Sequence, residues 1–555
     1  MLRRSIALLV LAAPLSLHVQ TRAQMAAPTR STAFTNAGER RASAAFDHAR
    51  KAGPLALHAF LEAMPKGADL HMHLSGAVYA ETFLKDAVDD RACIDTVKLA
   101  IVPNTGLHGD GTEPMCAAGA IPAAMALSPK NPGQQKLYDA MVDAMSMRAF
   151  VPAQGIDGHD QFFQAFEHWN GLNPTHAGEW LDEVATRAAA QNEQYLEVMQ
   201  TPSFSNAAKL GYAIGWPSEL KPETTAASSE PDDVSGTSVA ELSALREKLL
   251  ASGLRDEVAT DRKQLDGALA ERSRLEHCGT PQALPACSVK IEFLYQILRA
   301  HPPQQVFAQT LLGFEVAAAD PDVLGLNFVQ PEDAYMAMTE YSRQMRMLDY
   351  LHSVYPKVHI SLHAGELAPG MVPPAGLRFH IREAVDLGHA ERIGHGVDAM
   401  YEADSAGLLK ELSAKHVMIE INLTSNAVIL GVVAPNHPLP DYRAAHVPVS
   451  LNTDDEGVSR IDLTHEYVTA ATEFGLDYRE LKEMARTGLE HTFLPGESLW
   501  ARPDDFLKPV KACASWTLGA ESPTGGCGEF LKANPHAAEQ WELERRFRVF
   551  EASVK

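Results

Sequence analysis

The sequence predicts an α/β protein of the (β/α)8, or TIM-barrel, class. Short apolar runs with strand character alternate with stretches patterned for helix along most of the chain, an order that favours a parallel sheet. Eight such runs are found: around Leu70, Gln194 to Met199, Val289 to Tyr295, Val323 to Phe328, Val358 to His363, Arg392 to Gly394, Val417 to Asn422 and Val447 to Leu451. Eight is the barrel count, and polar clusters stand where several of these runs stop, which is where such barrels keep their working residues. The rival, a doubly wound open sheet, would carry a Gly-rich phosphate turn after its first strand, and none follows Leu70 here.

Taken in order, the chain opens with a basic pair at Arg3-Arg4, an apolar run from Ile6 to Leu17, and Thr21-Arg22-Ala23 before Gln24. That is the pattern of a secretory signal over residues 1–23. The run is too short to anchor in a bilayer, and no other run approaches about 18 apolar residues. A soluble, exported protein, periplasmic or extracellular and without a membrane partner, is expected. Residues 24–64 read as an N-terminal extension that becomes helical around Phe46, Ala49, Leu57, Phe60 and Leu61. The barrel is expected over residues 65–500, with insertions at about 85–150 and 203–238. The first contains Gly/Pro-rich pieces, and the second is read as a surface excursion in which Pro, Ser, Asp and Thr dominate from Glu219 to Ser238. Residues 501–555 read as a C-terminal helical extension. A homodimer contact, if formed, would use the N-terminal helices and the first insertion.

The six cysteines fall into local couples, Cys93 with Cys116, Cys278 with Cys287, and Cys513 with Cys527. In an oxidising compartment these are disulfide candidates. The pairing rests on proximity alone, because six cysteines allow 15 connectivities. None has C-x-x-C spacing, which argues against a thiolate metal site. The net charge of −23 argues against a nucleic acid partner.

The functional signal begins at His71-Met72-His73. Alternation along a strand puts both imidazoles on one face, as a transition metal requires. The fifth run ends in His363-Ala364-Gly365-Glu366, the sixth in His395-Gly396, the eighth in Asn452-Thr453-Asp454-Asp455. Taken singly, each histidine reads as a hydrogen-bonded core residue, the aspartate pair as a turn or helix cap, and Glu366 as a first-turn carboxylate. Their joint occurrence at strand ends favours a single site. His71, His73, His363 and Asp454 suit one Zn²⁺ or a similar borderline ion, with a further position open for water. Val323 to Val329 offers no Lys, Glu or Asp to bridge a second ion, so one ion per chain is expected. His395 is then free to orient or deprotonate water, Asp455 to fix the water or a substrate nitrogen, and Glu366 to give a proton to the substrate. A water-poor pocket would keep Glu366 protonated for that task.

Together Pro65 to Ala77, His363 to Glu366, Arg382 to Leu387 with Arg392 to Gly396, Thr424-Ser425-Asn426 and Ser450 to Asp455 resemble the adenosine deaminase family of the amidohydrolase superfamily. The signal segment, the cysteine-bearing insertion and Val323 to Asp333 resemble its secreted adenosine deaminase-related growth factor branch. The resemblance implies a zinc-dependent enzyme that removes ammonia from C6 of a small-molecule nucleoside, with Glu366 protonating N1 and Asp455 engaging the base. It also implies substrate contacts at Gly365, Gln330 and Ser75. The chain departs from the family at two of them: Gln330 stands where a Gly whose backbone meets the purine is usual, and Ser75 where an Asp near the sugar 5′ end is common. A small, neutral Ser75 would admit a 5′-modified sugar. Two other readings stay open on sequence alone, hydrolysis of another amidine or cyclic amide and a non-catalytic binding or signalling protein.

Overall fold

Strands buried on both faces need near-continuous apolar runs, and the eight runs found in the sequence are the eight strands of one parallel sheet. They are β1 (Gly67–His73), β2 (Glu193–Gln200), β3 (Lys290–Leu298), β4 (Val323–Val329), β5 (His359–Ala364), β6 (Arg392–His395), β7 (Met418–Ile421) and β8 (Val449–Leu451), adjacent in chain order. This computed structural model describes residues 36–108, 113–128, 130, 132–152, 156–218 and 234–554. The signal segment, the start of the N-terminal extension and the centre of the second insertion lie outside the described residues.

The barrel closes through the residues that follow β8. Asp454 N donates to His71 O at 2.8 Å, and His73 N donates to Asp454 O at 3.3 Å. Side chains staple the same seam: Asp69 Oδ2 accepts from Thr453 N at 3.0 Å and from Thr453 Oγ1 at 2.6 Å, and Asn452 Oδ1 accepts from Leu70 N at 3.0 Å. A last strand of three residues makes few ladder bonds, so these polar groups complete the closure.

Helices pack outside the sheet by apolar stripes. Ala177–Ala190 buries Trp180, Leu181, Val184, Ala185 and Ala188 at helical spacing. Tyr478–Glu490 starts at a capping box made by Asp477 and Glu480. Lys66, fully buried just before β1, donates from Nζ to Leu61 O at 2.7 Å, Met64 O at 3.1 Å and Gln191 O at 2.6 Å. Its charge thereby satisfies carbonyls at the end of helix Pro54–Ala63. The C-terminal helix Pro535–Ser553 lies against Ala37–Ala52 and Tyr478–Glu490. Among the described residues no helix is long and apolar enough to cross a membrane.

After β1 and helix Ala80–Asp89 the chain forms a small antiparallel sheet, with Cys93–Asp95 between Ala100–Val102 and Ala120–Pro122. The cysteines pair as the three local couples, Cys93–Cys116, Cys278–Cys287 and Cys513–Cys527. One expectation needs correcting. The stretch from residue 203 was read wholly as a surface excursion, yet Ser205–Ile214 is a helix packed against Pro303–Ala319. Its polar residues Ser205, Asn206 and Lys209 mask a stripe that buries Ala207 and Gly211, and small residues give little apolar signal.

Candidate functional site

The site lies at the C-terminal ends of the strands and is built on sharp turns. His395, Asp454 and Gln330 take left-handed φ values of 68°, 63° and 86°, and Gly365 takes 73°. For side chains such conformations are costly and are kept where the surroundings over-determine them.

Four groups converge. His71 Nε2 lies 3.1 Å from His363 Nε2, and His73 Nε2 lies 3.2 Å from it. Asp454 Oδ1 stands 3.5 Å from His71 Nε2 and 3.2 Å from His73 Nε2. The other nitrogen of each imidazole is engaged: His71 Nδ1 with Glu420 Oε2 at 2.6 Å, His363 Nδ1 with Asn327 Oδ1 at 2.8 Å, and His73 Nδ1 with Gln296 Oε1. The Asn327 orientation follows from another bond, since His363 N donates to Asn327 Oδ1 at 3.0 Å, and Gln296, with Oε1 toward His73, donates from Nε2 to Thr201 Oγ1 at 2.8 Å. With each Nδ1–H donated outward, three Nε2 lone pairs face one another, an arrangement that repels unless a cation lies between them. Donor bonds of about 2.0–2.1 Å around a tetrahedral ion give donor separations of about 3.3 Å, so the residues present fit a zinc-sized ion. The charges that suit a cation also attract a proton: His71, flanked by Asp454 and Glu420, is pushed up to about 10 despite its burial. Burial, then His71, holds His363 well below its usual value.

Around these donors stand three further groups. Glu366 Oε1 is 3.6 Å from His395 Nε2, and Asp454 Oδ2 is 3.8 Å from the same nitrogen. Burial, then the Asp454 carboxylate, raises the Glu366 carboxyl well above the ordinary range. Asp455 is buried, its Oδ1 has no hydrogen-bond partner, and burial pushes its pKa up as well. Gly76 makes room for it, since a Cβ there would lie 1.5 Å from Asp455 Oδ1.

The tautomer of His395 can be deduced from a backbone group that can only donate. Leu439 N donates to His437 Nδ1 at 3.1 Å, so His437 donates from Nε2 to Asn426 Oδ1 at 3.0 Å. Asn426 Nδ2 therefore donates to His395 Nδ1 at 2.9 Å, and the His395 proton sits on Nε2, facing Glu366 and Asp454. Burial drops His395 to about 3, so the ring is neutral. Of the two roles expected for it, orienting or deprotonating water, this tautomer serves the first.

Glu332 holds the Glu366 turn. Its Oε1 accepts from Gly365 N at 3.0 Å and from His380 Nδ1 at 2.5 Å, and its Oε2 accepts from Glu366 N at 2.8 Å. The Gly365 N–H is thus committed within the protein. Gln330 also turns its side chain inward, Oε1 accepting from Ala300 N at 2.9 Å, while Arg299 donates to Gln330 O at 3.0 Å and to His363 O at 2.9 Å. Ser75 is half-buried in the short helical turn Leu74–Ala77 that follows β1.

Sequence reasoning gave no role to Glu420, Gln296, Asn327, Glu332, Arg299, Asn426 or His437. Two of them carried a signal: Asn327 and Glu420 are polar residues inside strands that are otherwise apolar and buried, and such residues need partners.

Residues 275–501 match the family model described as adenosine deaminase. Curated relatives include an adenosine deaminase from Escherichia coli strain SE11, 39% identical over 140 residues, a stretch that covers 25% of this chain and 39% of that protein. An adenosine deaminase from Escherichia coli O139:H28 gives the same figures. The chain therefore spans 39% of the length of these curated relatives. Among solved structures, the N6-mAMP deaminase of Arabidopsis aligns with a TM-score of 0.48 at 18% identity over 79% of this chain and 96% of that one. The adenine deaminase of Arthrobacter aurescens aligns with a TM-score of 0.47 at 16% identity over 78% and 94%.

Proposed function

We propose, for a chain that belongs to the adenosine deaminase family through residues 275–501, a zinc-dependent hydrolysis of adenosine or 2′-deoxyadenosine at C6, yielding the inosine product and ammonia. One observation carries the reading: three imidazoles with pinned Nδ1 atoms aim bare Nε2 atoms at one point beside Asp454, and Glu366, His395 and Asp455 surround that point.

Zinc held by His71, His73, His363 and Asp454 would supply the Lewis acidity that makes water a nucleophile near neutral pH. Glu366 enters with its proton on, as burial requires, and gives it to N1 of the purine while oxygen adds to C6. His395 donates its Nε2–H to the attacking oxygen and so orients it. Asp455, with an unpaired buried oxygen, engages a ring nitrogen of the base. The oxygen stays on C6 and the amino nitrogen leaves as ammonia; of the two protons that the attacking water loses, one leaves with the ammonia and the other restores Glu366. Ser75 places a small neutral group at the sugar side, which favours trying 5′-modified adenosines as substrates.

Loss of the adenosine absorbance on conversion toward inosine tests the reading, with 2′-deoxyadenosine, a 5′-modified adenosine, adenine and AMP run beside it. Absorbance unchanged with all five substrates would overturn it. Export is part of the same proposal, supported by the pattern of residues 1–23 and by three disulfides, which persist in oxidising compartments. Cell fractionation that leaves the protein in the cytoplasm would sink that part alone.

A further inference from the structure

A second cluster of side chains able to ligate a metal lies between helix Ala80–Asp89, which leads into the disulfide-bearing insertion, and helix Ala177–Ala190, which leads into β2. Asp86 belongs to helix Ala80–Asp89, His176 precedes helix Ala177–Ala190, and Glu179 lies in the first turn of that helix. One donor atom from each lies within 4.8 Å of the others. His176 Nδ1 is 2.5 Å from Glu179 Oε2 and 3.8 Å from Asp86 Oδ1. We propose that Asp86, His176 and Glu179 bind a divalent first-row cation, Zn²⁺ or Mn²⁺, which fastens the root of the insertion to the barrel.

The far side of the imidazole supports this. His176 Nε2 meets Asp90 Oδ1 at 3.0 Å, and Asp90 Oδ2 accepts from Asn173 N at 2.7 Å. A carboxylate thus holds Nε2–H, while Nδ1 faces the Glu179 and Asp86 carboxylates; an ion bound there would replace the Nδ1–Glu179 hydrogen bond. His71 has the same relation to Glu420 on one side and to the candidate metal on the other. Carboxylate–histidine–metal chains have this form.

Asp86 supplies the independent observation. Its side chain is fully buried, Oδ2 accepts from Trp180 Nε1 at 2.8 Å, and Oδ1 has no hydrogen-bond partner. A proton on His176 would satisfy Glu179 and Asp90 but would leave that oxygen bare, with three carboxylates around a single positive charge. A divalent ion at Nδ1 gives both Asp86 Oδ1 and Glu179 a partner. The Glu179 side chain is 37% exposed, so the ion can be reached from solvent and can complete its shell with water. One imidazole and two carboxylates is a donor set for borderline ions.

The test is a metal count on the full chain, stripped with chelator, reloaded with Zn²⁺ alone and freed of excess. Wild type is expected to hold one zinc more than Glu179→Gln or Asp86→Asn. In a His71→Ala background, which disables the barrel mouth, one zinc should remain, and adding Glu179→Gln should remove it. Equal counts in wild type and both single variants would show that His176 carries a proton only and would overturn the proposal. Circular dichroism reports folding, and Glu179→Gln at a partly exposed position keeps the comparison valid if Asp86→Asn does not fold. Zinc added to the stripped His71→Ala protein should raise its thermal midpoint, and an unchanged midpoint counts against the site. The His71→Ala arm is independent of any deaminase activity, so this inference and the proposed function can fail separately.

Discussion

Glu332 Oε2 accepts the peptide N–H of Glu366 at 2.8 Å, so the residue proposed as proton donor is held in place by a second, buried carboxylate at the end of the neighbouring strand. The same carboxylate takes the Gly365 N–H at 3.0 Å. Replacing Glu332 by Gln leaves one acceptor oxygen for those two donors, and an unsatisfied buried N–H costs about 1–3 kcal/mol. The Glu366 turn should shift, and a displacement of about 1 Å at a reacting group costs roughly a hundredfold in rate. Steady-state kinetics should show a fall in kcat larger than any change in KM, with zinc content unchanged. Equal losses in kcat and zinc would place Glu332 among the groups that hold the metal instead.

Acid stability should report the same carboxylate. Burial alone would raise Glu332, but the hydrogen bond from His380, the His380 charge and Arg299 outweigh it and bring it down to about 2. A depressed carboxylate contributes stability above its unfolded value, about 4.3, and loses it as pH falls toward 2. The contribution is about 3 kcal/mol. Urea unfolding at pH 6 and pH 3 should show Glu332→Gln insensitive to this part of the loss. A variant as acid-sensitive as wild type would refute it.

Glu366→Gln should retain zinc and fold as wild type while kcat drops by about 10²–10⁴, the range for a lost general acid. Metal analysis beside single-turnover absorbance checks it. Full activity would remove Glu366 from the proton-donor role.

Gly76→Ala puts a methyl 1.5 Å from where Asp455 Oδ1 now sits. Asp455 must move while the four metal donors stay, so kcat/KM should fall at least tenfold with zinc content intact. Loss of zinc in Gly76→Ala would show the two aspartates to be coupled.

Asn426→Asp reverses the polarity at His395 Nδ1, since a carboxylate accepts where the amide donates. The proton moves to Nδ1 and Nε2 loses its donor. Histidine tautomers are readable by ¹⁵N resonance, and the variant should show the switch together with lower kcat. An unchanged tautomer would contradict the chain of bonds from Leu439 through His437.

The barrel was legible because its strands are short apolar runs that alternate with helical stretches, and the four candidate metal donors because histidines and acids stand where those runs stop. What lay hidden was mostly relational. His437 is 42 residues from His395, and only the fold makes Asn426 a bridge between them. Glu332 follows β4 by three residues and gives no local sign that it serves a turn after β5. The helix Ser205–Ile214 was missed for a different reason: Ala207 and Gly211 bury little apolar surface, so the stripe that packs it is faint in sequence.

The seam that closes the barrel and the candidate metal centre share a residue. Asp454 completes the ladder to β1 with its backbone while its carboxylate faces His71 and His73. An incompletely folded chain, with β8 not yet returned to β1, lacks the fourth donor and cannot capture the ion in this geometry. Metal uptake in this geometry would therefore follow closure of the barrel, and a bound ion would act as a clasp across the chain's longest-range strand contact, resisting unfolding at that seam.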